Sequence, residues 1–153
     1  RSLGWVGDAT AAVTGLKLHT TPIDIVQASL EAVTYRFAAM YDALRTGAET
    51  IVASGGGLRG SPAWLQMMAD AIGQPLVASR TAESSLRGVA LVAMRDIGII
   101  SELPSANDGT RFTPRTDFYV RHLVARQQQQ MLYDREVGPN GVNLLARQTR
   151  ERG

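Results

Sequence analysis

Cysteine is absent from all 153 residues, which excludes disulfides and thiolate metal sites and suits a reducing compartment. Histidine is nearly absent. The two present, His19 and His122, stand far apart without ligand spacing, so each is expected to be structural or solvated, and no metal site is expected. No apolar run approaches the roughly 18 to 20 residues of a membrane-spanning helix. The opening RSLGWVGDAT lacks the charged, apolar and cleavage regions of a secretory signal. The expectation is a cytoplasmic protein with no membrane partner. A strong charge of one sign is also missing: 16 basic residues face 14 acidic ones, for a net +2. The imbalance is local, with eight arginines against four acids in residues 111–153. These arginines are scattered, acids interrupt them and no nucleic-acid motif accompanies them. They read as a solvated helix face, and no nucleic-acid partner is expected.

What is present is a chain long enough for one domain with a real core, 44% hydrophobic and 20% charged. Its clearest helix is TTPIDIVQASLEAVTYRFAAMYDALRTG, where Val26, Leu30, Val33, Phe37, Met40 and Leu44 recur at spacings of four and three. That stripe is expected to be core. Thr21 is the expected cap, Pro22 suits the first helical position, Asp24 favours the positive end of the dipole, and Gly47 marks the exit.

ETIVAS reads as a short buried strand running into glycines, and PLVAS as a second strand. Between them SPAWLQMMADAIG reads as a helix with Ser61 as cap, Pro62 at its first position and Gly73 at its end. ESSLRGVALVAMRDIG is a third helix, with Gly88 inside it either for close packing or by simple tolerance. SELPSANDGTRFTP, rich in turn formers, is expected to be a loop. RTDFYVRHLVARQQQQMLYDRE is a polar helix, and the remaining residues form a loosely ordered tail. The central α-β-α-β-α run points to an α/β layer domain.

The stretch VASGGGLRGSPAWLQ is the most informative. Gly55, Gly57 and Gly60 satisfy G-x-G-x-x-G, the pattern of a dinucleotide-binding turn. The context disagrees with that reading. In a dinucleotide fold the glycine turn opens the helix directly and an acid ends the second strand. Here Pro62 starts the helix after the glycines, and the second strand ends at Ser79-Arg80. What remains is a strand, an almost side-chain-free loop and a helix. Such a loop admits a flat or bulky ligand onto the backbone, or is only a tight turn. Composition leaves both open.

At these residues the chain resembles the C-terminal domain of the FGGY family of carbohydrate kinases, a group containing gluconokinases, xylulokinases and glycerol kinases. ASGGGLRGSPAWLQMMADAIGQPL is similar to that family's adenosine loop, and GLKLHTTPIDIVQASLEAVTYRF to its G-L-x-x-x-H-T segment and E-G-V-A-F helix. ESSLRGVALVAM resembles the following E-x-x-x-x-G-A-A helix. Phe112, Pro114, Tyr119 and Leu132-Tyr133 are similar to the closing helix. Arg1-Ser2 with Trp5 resembles the tail of G-E-R-S-P-x-W, which suggests a fragment of a longer chain. Ala32 in place of the glycine of E-G-V-A-F, and DATA at 8–11 in place of A-R-G, depart from the pattern.

The resemblance implies an α/β, ribonuclease H-like ATP-binding domain of the actin, hexokinase and Hsp70 superfamily, the C-terminal half of a two-domain kinase. It implies that residues 1–133 form this nucleotide-binding domain and 134–153 the tail. It implies transfer of the ATP γ-phosphate to a sugar, sugar acid or polyol, with gluconate or xylulose favoured, and ATP and Mg²⁺ as cofactors. The alternative is a non-catalytic nucleotide-binding or interaction module of the same fold.

Residue by residue, the match assigns nucleotide binding to Gly55, Gly56, Gly57 and Ser61. Gly56 and Gly57 fall where the adenosine is contacted; Ser61 falls where some relatives place an asparagine, and a plain helix cap is its equal alternative. The catalytic base of the family lies in the N-terminal domain, so no catalytic residue is assigned, and Asp8, Asp24, Asp70 and Glu83 are expected to be solvated, capping or structural. The expected partners are the small substrate and the N-terminal kinase domain, with a homodimer left open. The 153-residue chain alone is expected to fold but to lack kinase activity.

Overall fold

The computed structural model describes residues 11–44, 47, 51–104 and 108–138. Arg1, Ser2, Trp5, Asp8 and the tail from residue 139 therefore lie outside the described residues. The chain divides into two compact units, residues 1–45 with 120–153, and residues 46–119.

The first unit is built on α1 (Pro22–Leu44) and the greater part of α5 (Thr116–Glu136). Helix α1 begins where the sequence says. The Thr21 hydroxyl accepts from the Asp24 amide at 3.4 Å, while the Asp24 carboxylate accepts from the Thr21 amide at 2.8 Å, a reciprocal cap. The Thr21 amide, and the Thr21 hydroxyl donating at 2.8 Å, hold the Asp24 carboxyl below its ordinary pKa.

The buried arc of α1 is not the expected one. Thr34, Tyr35 and Ala38 are buried, whereas Val26, Val33, Phe37 and Leu44 are 40–70% exposed. Periodicity identifies which residues share a helix face, but not what covers that face. The covered side is set by α5: the Tyr35 hydroxyl meets His122 Nδ1 at 3.0 Å, Arg126 pairs with Asp42, and Gln129 donates to the Ala32 carbonyl at 3.3 Å. His122 is thus structural, and His19 is exposed.

The second unit holds a three-stranded sheet of order β1-β2-β3, with β1 (Ile51–Ala53), β2 (Leu76–Ser79) and β3 (Gly109–Phe112). β1 and β2 are parallel, with Ile51, Val52 and Ala53 opposite Leu76, Val77 and Ala78. β3 runs antiparallel to β2, placing Phe112 opposite Leu76 and Gly109 opposite Ser79. The expectation of a loop over 101–114 is corrected here. GTRF offers a weak strand signal, with Phe112 its one large apolar residue, and becomes a strand because the edge of β2 supplies the hydrogen-bonding partner. The β1 expectation is only partly met, because Val52 is 38% exposed.

Helix α3 (Pro62–Ile72) packs on the sheet through Leu65, Met68 and Ala69, which join Ala53 and Leu76 in the core. Its start and stop are as read: Ser61 Oγ accepts from the Trp64 amide at 3.4 Å, and Gly73 ends the helix at φ 74°. Helix α4 (Ser84–Asp96) has no buried residue, and a Cβ at Gly88 would meet nothing within 4 Å. Close backbone packing therefore does not explain this glycine. Gly88→Ala is expected to raise stability by about 0.5–1 kcal/mol through helix propensity alone, read as a higher urea midpoint with an unchanged m-value.

Candidate nucleotide-binding site

Beyond Ala53 the chain leaves β1 through Ser54 and Gly55, whose backbone stands at φ 110° and ψ 149°. That region is open essentially to glycine, so Gly55 is required by the chain path itself. The next four residues do not form the open loop expected from the position of Pro62. Gly56–Arg59 wind into a single helical turn, α2, closed by Gly60 N–H donating to the Gly56 carbonyl at 3.4 Å. Leu58 packs against the core and Ser61 N–H donates to the Leu58 carbonyl at 3.1 Å, so the turn is pinned from beneath.

The upper side of the turn is bare. Ser54, Gly55, Gly56 and Gly57 are all exposed, and a Cβ at Gly56 or Gly57 would meet nothing within 4 Å. Neither has a positive φ. The fold thus requires Gly55, while the described protein atoms would accommodate side chains at Gly56 and Gly57. Ser61 is half-buried and caps α3, the plain capping role that was one of its two alternatives. The four sequence-assigned residues come together as one continuous strand-to-helix connection.

Because β1 and β2 are parallel, their carboxyl ends open on the same side, the side on which ligands bind to open α/β sheets. The exit of β2 is stapled in place. Arg80 N–H donates to the Asp108 carbonyl at 3.2 Å, Thr81 N–H to Ser79 Oγ at 3.2 Å, and Ser84 Oγ to the Thr81 carbonyl at 3.3 Å. The Arg80 side chain is free of the core, 75% exposed, with Asp108 at 3.5 Å as an equally exposed partner.

Asp24 caps α1, and Glu83 occupies the position before α4 without a side-chain capping bond. Asp70 is fully buried and held by Arg115, through the guanidinium at 2.6 and 3.1 Å and the backbone amide at 2.8 Å, and by Gln66 at 3.0 Å. Burial alone would raise its pKa. The Arg115 hydrogen bonds, the Gln66 bond and the Arg115 charge together outweigh burial and hold the carboxyl below its ordinary value. This clamp ties α3 to the segment entering α5, and no spacing rule in the sequence signals it. Among the described residues no group of three or more His, Cys, Asp or Glu converges as a cation site.

The C-terminal domain of the FGGY family of carbohydrate kinases matches residues 1–97, which include α1, the glycine turn, α3 and α4. The chain belongs to this family. Glycerol kinase 1 of Thermotoga maritima is 30% identical over 102 residues, covering 65% of this chain and 21% of that protein. The xylulose kinase of Rhodospirillum rubrum shares the fold at a TM-score of 0.67 with 27% identity, over 80% of this chain and 26% of the other. A gluconate kinase from Lactobacillus acidophilus, at 15% identity, shares the fold alone, with a TM-score of 0.76 over 88% of this chain and 29% of the other. The FGGY chain thus spans between a fifth and a quarter of the curated relatives it matches. Its fold is the ribonuclease H-like α/β type of these sugar kinases.

Proposed function

We propose that this chain is the adenosine-binding part of an ATP-dependent carbohydrate kinase, which transfers the γ-phosphate to a hydroxyl of a sugar, sugar acid or polyol. The observation that carries the reading is the bare glycine turn. At the carboxyl edge of a parallel strand pair, Gly56 and Gly57 leave space that no described protein atom needs. In a member of the FGGY family, that space suits a nucleotide lying on the backbone from Gly55 to Gly57, beside the Ser61 cap. From Gly55 to Gly57 the turn presents main chain rather than side chain, so this stretch positions ATP and performs no proton transfer.

The catalytic base and most contacts to the acceptor sugar belong, on this reading, to an N-terminal kinase domain of the same polypeptide. Mg²⁺, which ATP chemistry implies, finds no ligand set among the described residues, and none of them is assigned to it. Residues 1–133 form the nucleotide-binding domain on this proposal. Gluconate and xylulose are the favoured acceptors, and the curated relatives add glycerol to the panel to be assayed. A cytoplasmic location fits a consumer of ATP, and no described helix is long and apolar enough to cross a membrane.

Gly57 tests the reading. In the complete kinase, Gly57→Leu is expected to raise KM for ATP about tenfold, with a much smaller change in KM for the sugar and in kcat. Gly57→Ala is expected to leave thermal melting unchanged, since neither φ nor a neighbour opposes a methyl group there. Unchanged ATP affinity in Gly57→Leu would refute the nucleotide turn.

A further inference from the structure

We propose that Arg80 supplies the cationic contact to the nucleotide, reaching ATP from the exit of β2 while the glycine turn supports it from the exit of β1. The inference rests on the nucleotide reading of the turn and adds a residue that the family-like loop does not contain.

Three observations converge on it. The first is register. Ala53 lies opposite Ala78 in a parallel pair, so both strands leave the sheet on one side, and Arg80 stands two residues beyond Ala78 on that side. Gly55 likewise stands two residues beyond Ala53, past the carboxyl end of β1.

The second is charge. The exposed backbone from Ser54 to Gly57 carries no ionisable side chain; the first cation along the chain is Arg59, at the far end of the turn. A polyanionic ligand on that backbone meets amide dipoles but no full positive charge from those residues, and its binding gains from a cation on the adjoining strand.

The third is the contrast between a fixed backbone and a free head. Hydrogen bonds at Arg80 N, Thr81 N and Ser84 Oγ lock the main chain around position 80. The guanidinium itself is 75% exposed, and its partner Asp108, 78% exposed, sits at 3.5 Å. An ion pair so open to water contributes little to stability, so the fold has small use for it. A planar guanidinium of this kind can give up such a partner for phosphate oxygens or a purine face at little cost.

The test uses the complete kinase with Arg80→Gln, Asp108→Asn and Gly57→Leu, measuring KM for ATP, KM for the sugar and calorimetric Kd for ADP. Arg80→Gln is expected to raise KM for ATP and Kd for ADP about tenfold, with the sugar KM and the melting temperature unchanged. Asp108→Asn, which removes the ion pair but keeps the guanidinium, is expected to retain wild-type nucleotide affinity. If Asp108→Asn weakens ADP as much as Arg80→Gln does, the effect belongs to the loop and the proposal falls. If Arg80→Gln binds ADP normally while Gly57→Leu does not, Arg80 is excluded and the nucleotide turn stands. Normal ADP binding by both variants removes the turn and Arg80 together.

Discussion

Arg115→Met is expected to destabilise the chain by about 3 kcal/mol at neutral pH, because it leaves the Asp70 carboxylate buried without its counter-charge. Asp70 has no exposed surface, and Arg115 provides three of its four hydrogen bonds, two of them from the side chain. Methionine keeps the length of the aliphatic stem, so the loss reports the guanidinium. The figure is taken at the low end of the range for buried pairs, since the Arg115 side chain is 52% exposed and water screens it.

The pH dependence carries the signature. Asp70 has a folded-state pKa below its ordinary value, so its contribution is present above the unfolded-state pKa, near 4, and is lost as pH falls through the folded-state value. The gap between wild type and Arg115→Met is therefore expected to be full at pH 7 and to narrow as pH falls through the two folded-state values, the variant's raised by burial and the wild type's held low. Adding Asp70→Asn to Arg115→Met is expected to recover part of the loss, since the stranded charge is gone. Urea denaturation of the four proteins of this double-mutant cycle, between pH 3 and 7, measures it. A pH-independent gap would mean that the clamp acts by packing of Arg115 over the Phe118 ring, 3.7 Å away, instead of by charge.

Gly109→Val is the second large effect. A Cβ at Gly109 would fall onto the Ala78 carbonyl oxygen, a backbone atom of β2 that cannot withdraw without breaking the sheet. The expected result is separation of β3 from β2 and a loss of about 3 kcal/mol, at the upper end for overpacking. Phe112 would leave the core with the strand. Hydrogen exchange is the decisive readout: the amides that pair β2 with β3 should lose protection, while α1, whose bonds are internal, should keep it. Retained protection across β2 and β3 with an unchanged urea midpoint would show that the strand absorbs the side chain by shifting.

The contrast among Gly57, Gly88 and Gly109 illustrates what a sequence conceals. Gly57 lies in a glycine run, Gly88 within a helical segment and Gly109 in a stretch rich in turn formers, and none of these local settings shows what a side chain there would meet. Gly109 is required by a carbonyl on another strand, Gly88 has open space around it, and Gly57 faces the surface on which the nucleotide is proposed to lie. The same holds for α1, where the Val26-to-Leu44 stripe is periodic in sequence yet largely exposed, and Thr34, Tyr35 and Ala38 take the covered side.

Elements whose causes lie within a few residues are legible along the chain. Thr21 with Asp24, Ser61 with Pro62, and Gly73 mark helix ends through bonds spanning three or four positions, so α1 and α3 appear where those residues require them. The apolar runs before the glycines and before Arg80 likewise place β1 and β2, and the glycine turn with its flanks carries the family likeness. The rest depends on contacts between distant parts of the chain. β3 exists because β2 offers an edge, and Asp70 finds Arg115 across 45 positions of chain. The face of α1 that is covered follows from α5, 87 positions separating Tyr35 from His122. The single turn of α2, set ahead of Pro62, follows from Leu58 anchoring in the core. Capping and propensity act through neighbours along the chain, whereas burial, edge pairing and steric exclusion depend on groups that only folding brings together.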